Sequence, residues 1–166
     1  MVRGCHWATC GSNTGLPRQV NQINTLTTHW TQSASGNAWN ASYDIWFHPT
    51  SDPGNNPAQY EMMLWLNWTD GFNTIAENYD QNGAIPYASN VNPGGYTWNV
   101  YHRDDVFTFR LVNRSNSINV DVRPIIDYVI ARGWMVSNAY CTSVQTGWEI
   151  IQGGTFRTSS YGVTIN

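Results

Sequence analysis

Along most of this chain apolar and polar residues alternate with a period of two, in short runs broken by clusters of Gly, Pro, Asn, Asp and Ser. That period puts successive side chains on opposite faces of an extended strand, so each run can bury one face of a sheet and leave the other free. The runs Leu26 to Gln32, Asn40 to His48, Tyr60 to Trp68, Tyr96 to His102, Val106 to Asn113, Ala139 to Thr146 and Ser160 to Ile165 are the expected strands. Many short strands between turn residues predict an all-β chain folded as an antiparallel sandwich or barrel. One segment departs from the pattern. Val122, Ile125, Ile126, Val129 and Ile130 follow helical spacing, with Asp121 placed to cap the start, Pro124 in the first turn and Gly133 to end it. The expectation is one amphipathic helix laid on the sandwich, in a single domain over residues 1–166, with polar surface loops at 49–57 and 70–93.

Composition narrows what such a sandwich can act on. Only 11% of residues are charged, Lys is absent, and the net charge is −3. Eight scattered Arg make no basic stripe, which argues against nucleic acid and an anionic membrane surface as partners. Polarity carried by Asn, Ser, Thr and Gly fits an extracellular, secreted protein. No apolar run is long enough to span a membrane, and residues 1–25 carry no signal-peptide core, so the expected state is processed, trimmed or unaddressed. Nine Trp and nine Tyr can fill a core, but they also suit stacking on the apolar faces of sugar rings.

Cys5 and Cys10, flanked by Gly4 and Gly11, can close a small disulfide loop. The alternative is a metal site with His6, but two sulfurs and one imidazole without a second cluster make a poor zinc signature. No metal or cofactor is expected. Cys141 lies in a strand-like run and reads as a buried, unreactive thiol. The four His show no shared spacing and read as surface or loop residues.

The chain has three Glu, at 61, 77 and 149, and Glu77 falls in a polar loop. In Tyr60-Glu61-Met62-Met63-Leu64-Trp65-Leu66-Asn67-Trp68, alternation puts Tyr60, Met62, Leu64, Leu66 and Trp68 on one face and Glu61, Met63, Trp65 and Asn67 on the other. A carboxylate beside Met and Trp is costly unless it is paired or reached by water and a polar ligand. Pairing with Arg110 or Arg157 is the structural alternative to a role in chemistry. Along Tyr140 to Glu149 the same period aligns Ser143, Gln145 and Glu149, provided no bulge intervenes near Gly147. Asp44 shares a face with Trp46 and His48.

These contexts resemble a known family. Ala41-Ser42-Tyr43-Asp44-Ile45-Trp46-Phe47, Tyr60 to Trp65, and Thr142-Ser143-Val144-Gln145-Thr146-Gly147-Trp148-Glu149 are similar, in order and spacing, to three signature strands of glycoside hydrolase family 12. Gly4-Cys5-His6-Trp7 through Cys10 to Gly15-Leu16-Pro17 resembles the disulfide loop of the family's bacterial members. The resemblance implies a concanavalin-like β-jelly roll whose concave sheet forms a cleft for a β-1,4-linked glucan, with the helix on its outer sheet. It implies Glu61 as nucleophile, Glu149 as acid/base, Asp44 as the acid that supports the nucleophile, and Met63, Trp65, Gln145, Trp46 and Asn67 as substrate-binding residues. The pattern departs after Glu149, where the family usually has Pro or another small change and this chain has Ile150.

Cleavage with retention needs one carboxylate to attack the anomeric carbon and a second to protonate the leaving oxygen, about 5 to 5.5 Å away. Glu61 must then be ionised, helped by Asp44, while repulsion from Glu61 and the Trp148 ring are expected to hold a proton on Glu149. Family members also carry strands ahead of the Cys loop, whereas this chain starts almost at that loop. The resemblance therefore predicts exposed strand edges and a cleft lacking part of one wall, in a fragment or a short natural form that associates to cover the edge. Two functions follow: a retaining endo-β-1,4-glucanase acting on cellulose-like, mixed-linkage or xyloglucan chains, or a carbohydrate-binding sandwich with little or no hydrolysis.

Overall fold

The computed structural model describes residues 1–166. In chain order the elements are β1 (Val2–His6), β2 (Thr9–Cys10), β3 (Arg18–Gln19), β4 (Leu26–Gly36), β5 (Trp39–His48), β6 (Tyr60–Trp68), β7 (Tyr79–Asp80), β8 (Gly83–Ala84), β9 (Ala88–Val91), β10 (Trp98–Arg103), β11 (Val106–Leu111), β12 (Ser117–Asp121), α1 (Arg123–Ala131), β13 (Tyr140–Ile150) and β14 (Gly154–Ile165). Nine strands form one sheet, ordered β2-β1-β13-β5-β6-β11-β10-β9 with β3 also on β13, and β12-β4-β14 form a smaller one. All pairs are antiparallel except β6 with β11. The chain between those two strands is spent on the β7–β8 pair and β9, and β11 returns in hairpin with β10, so it meets β6 running the same way.

Two faces pack to make the core. The larger sheet contributes Tyr43 and Ile45 from β5, Met62 and Leu64 from β6, and Phe107 and Phe109 from β11; the smaller contributes Leu26 and Trp30 from β4. Trp30 is fully buried and meets Tyr43 and Trp148 edge-on, with ring centroids 5.8 and 5.3 Å apart. The helix closes the rest of the layer by burying Ile125, Ile126 and Val129, as its spacing predicts. Asp121 accepts the Arg123 backbone N–H at 3.0 Å, and Gly133 ends the segment at φ +71°. The Arg123 guanidinium reaches the carbonyls of Val20 and Ile23, tying the helix to the turn before β4.

Several strands are longer than their alternation suggested. β4 runs on to Gly36, β13 to Ile150, and β14 begins at Gly154, because backbone pairing continues through Ser, Gly and Thr residues that carry no hydrophobic signal. Short β1, β2, β3, β7, β8, β9 and β12 were not legible for the same reason: pairing to a neighbour makes them strands. β14 holds no fully buried residue and pairs only with β4, leaving a 12-residue edge.

Cys5 and Cys10 are directly opposed across β1 and β2 and joined in a disulfide. The hairpin lies against β13 because residue 4 is Gly, at φ +104°. A Cβ there would sit 2.3 Å from the Thr142 carbonyl oxygen. Cys141 is fully buried, and burial pushes its thiol up to about 12. No helix is long and apolar enough to cross a membrane.

Candidate active site

The face of the larger sheet turned away from the core collects the acids. Cross-strand partners share a face, so register places each side chain. On β5 the row is Asn40, Ser42, Asp44 and Trp46. Gln145 stands opposite Asp44 and Glu149 opposite Asn40 on β13, while Met63 is opposite Asp44 and Glu61 opposite Trp46 on β6. The pairing of β13 with β5 is unbroken from Ser143 to Ile150, its irregularity falling between Cys141 and Ser143. Glu61, Asp44 and Glu149 therefore share one face, Asp44 lying between the glutamates in register.

None of the three carboxylates is neutralised by a base. The ion pairs are Arg103–Asp104, Arg114–Asp70 and Arg123–Asp127, so neither Arg110 nor Arg157 serves Glu61. Burial pushes the Glu61 carboxyl up to about 7, with the charges of Asp44 and then Glu149 acting in the same direction. Burial also pushes Asp44 up to about 6, opposed by a 3.0 Å hydrogen bond from the Ser42 hydroxyl, reinforced by Glu149 and eased by the N-terminal ammonium. Near pH 7 Glu61 is therefore divided between its ionised and protonated forms, and Asp44 is mostly ionised. Asp44 accepts from Ser42 and is not hydrogen-bonded to Glu61. Trp148 lies across β13 from Glu149, its ring packed toward Trp30 and Phe156. The group that touches Glu149 is Asn40, whose amide donates to Oε2. Sequence reasoning passed over Asn40; its position four residues before Asp44 on one strand was the available signal.

Raised carboxyls have a consequence for stability. Glu61 binds its proton more tightly folded than at its ordinary 4.5, so its contribution is fully present below about pH 4.5 and is lost as pH rises through about 7. Glu61→Gln removes that penalty. The variant is expected to be more stable than wild type by about 1–2 kcal/mol at pH 8, allowing for a half-buried carboxyl, and indistinguishable at pH 4.5. Thermal melts across that range check it, and a destabilised variant at pH 8 refutes it.

The expected sugar-contacting residues divide. Trp46 and Gln145 line a pocket of about 250 Å³ with Trp7, which the disulfide hairpin holds 59% exposed, and His48. His48 is buried there, its Nδ1 2.9 Å from the Thr142 hydroxyl, rather than on the surface. Met63 and Trp65 are on the acid-bearing face but 4% and 2% exposed. Phe72, Trp68 and the Arg110 guanidinium cover Trp65. Asn67 does not join this face. A bulge between Ala41 and Ser42 leaves Leu66 without a partner on β5, so Asn67 pairs with Ala41 of the core face and donates instead to Asn116 at 2.7 Å. The same bulge brings Trp68, expected beside Tyr60, round to Met63 and Trp65. No three His, Cys, Asp or Glu side chains gather to hold a metal ion.

The family model described as glycosyl hydrolase family 12 matches residues 2–166. The chain belongs to that family. Endoglucanase S of Pectobacterium parmentieri is 34% identical over 169 residues, covering 92% of this chain and 59% of that protein. The solved endoglucanase cel12A from Rhodothermus marinus superposes with a TM-score of 0.87 at 32% identity, covering 99% of this chain and 72% of that one. A family 12 xyloglucanase from Bacillus licheniformis gives a TM-score of 0.85 at 26% identity, with 99% and 73% covered. The family 12 chain thus spans 59% of the length of the curated relative and 72% of the cel12A chain.

Proposed function

We propose that this chain is the catalytic part of a secreted, retaining endo-β-1,4-glucanase that cleaves internal bonds of cellulose-like, mixed-linkage or xyloglucan chains. The observation that carries the reading is the trio Glu61, Asp44 and Glu149 on one sheet face, close enough for their charges to act on one another and in no ion pair with an Arg, the N-terminal ammonium alone easing Asp44. A structural carboxylate would have an Arg; here the uncompensated cost points to chemistry. Family membership supports the reaction class, and the endoglucanase and xyloglucanase relatives support the substrate class. The disulfide is consistent with an oxidising compartment.

In this mechanism Glu61, ionised, attacks the anomeric carbon and forms a glycosyl-enzyme while Glu149 gives its proton to the leaving oxygen. Formation of that ester removes the Glu61 charge, and Glu149, now a carboxylate held by Asn40, takes a proton from the incoming water. Asp44 acts through Glu61: while ionised its charge raises the Glu61 carboxyl, so a proton on Asp44 favours the ionised nucleophile. Proton NMR of the first product formed from a soluble β-glucan tests the assignment. The β-anomer is expected first; initial α-anomer would replace double displacement by a single inverting step, and binding without release would leave a carbohydrate-binding sandwich.

A further inference from the structure

The acid-bearing face is electrically divided. Across β13, β5 and β6 it carries three carboxylates that no arginine pairs; toward β11 it carries an arginine that no acid pairs. Arg110, on β11 opposite Trp65, lays its guanidinium 4.0 Å from the centroid of the Trp68 ring, and Arg114 stands over the same ring at 4.7 Å. Asp70 is the sole carboxylate nearby, and it is paired with Arg114. Arg110 is half-buried and makes no ion pair, a costly state for a cation unless stacking and a polar pocket compensate it. That pocket is present: about 340 Å³, walled by Asn73, Asn82, Asn99 and Tyr101, with no acid in its lining. Beneath it the indole N–H groups of Trp65 and Trp68 and the Thr108 hydroxyl are buried without partners.

We propose that Arg110, seated on Trp68, binds the carboxylate of an acidic sugar unit in a β-glucan chain lying along the cleft, the asparagines and Tyr101 taking its hydroxyls. The inference rests on the glucan-cleft reading above and adds a charge preference to it. A guanidinium fork matches a carboxylate in two parallel hydrogen bonds, and Trp68 holds that fork flat. Asp44 and Glu149, beyond β6 on β5 and β13, repel the same substituent when ionised, so the two ends of the face fix where along the chain an acidic unit sits.

The test is binding, read by calorimetry on Glu61→Gln protein so that no turnover intervenes. Neutral cellotetraose is compared with cellotetraose carrying one C6 carboxylate, each positional isomer in turn. One isomer is expected to bind about tenfold more tightly than the neutral chain, and Arg110→Gln to reduce that advantage to within about twofold. Equal affinity for all isomers, no binding of any, or an advantage that survives Arg110→Gln overturns the proposal. Should Arg110→Gln fail to fold, salt decides on the parent protein: the preference must shrink between low salt and about 0.5 M, and an unchanged preference overturns it. Hydrolysis of neutral β-glucan by wild type reports on the glucanase reading separately, since a carboxylate preference without hydrolysis would remove that reading and leave Arg110 its ligand.

Discussion

Glu61→Gln is expected to release reducing ends from a soluble β-glucan at least about 10³-fold more slowly than wild type, and Glu149→Gln similarly, a loss of about 4 kcal/mol of transition-state stabilisation in each. The two losses have different causes. Without Glu61 no glycosyl-enzyme forms; without Glu149 the leaving oxygen departs unprotonated and water is not activated. Substrate chemistry separates them. An aryl glycoside with a good leaving group needs no proton, so Glu149→Ala is expected to accumulate a glycosyl-enzyme that azide releases as the β-glycosyl azide. Glu61→Ala offers no such intermediate, and azide there gives the α-product by direct attack. Either variant retaining activity within about tenfold of wild type, or the two azide products exchanged between them, removes the assigned roles.

Trp30→Ala is expected to be the most damaging single truncation to the fold, at about 3–5 kcal/mol. Trp30 projects from the smaller sheet into the centre of the sandwich, meets Tyr43 and Trp148 edge-on, and donates its indole N–H to Thr158 at 3.0 Å. Removing it leaves a cavity between two sheets held apart by their other side chains, and leaves the Thr158 hydroxyl without its donor. For a chain of this length the expected fall in melting temperature is about 10 °C. Trp7→Ala is the matched control: that ring is 59% exposed at the tip of the disulfide hairpin, and its loss is expected to move the melting temperature by no more than about 2 °C. Equal effects of the two substitutions would mean that the sheets do not pack through Trp30.

These predictions separate what was legible along the chain from what was not. Alternation alone placed Glu61 with Met63 and Trp65, Asp44 with Trp46 and His48, and Glu149 with Gln145, because period two survives wherever pairing is regular. It placed the helix for a related reason: a 3.6-residue stripe cannot be mistaken for a pleat over nine residues. Alternation failed at Asn67 and Trp68, where one bulge exchanges their faces, and a bulge is a matter of two strands rather than one.

By itself, then, the sequence determined the strand-rich sandwich, the capped helix and which residues share a face with each acid along its own strand, since each depends on local periodicity and capping; that the three faces coincide was decided by the register between strands. Which aromatics are covered was decided only by tertiary structure, for Trp65 shares its strand face with Glu61 and is nonetheless 2% exposed beneath Phe72, Trp68 and Arg110. The same holds for the raised Glu61 and Asp44, and for Arg110 resting on Trp68 instead of pairing with Glu61. Burial and charge act through space between strands far apart in the chain, and no pattern of neighbours along it carries those distances.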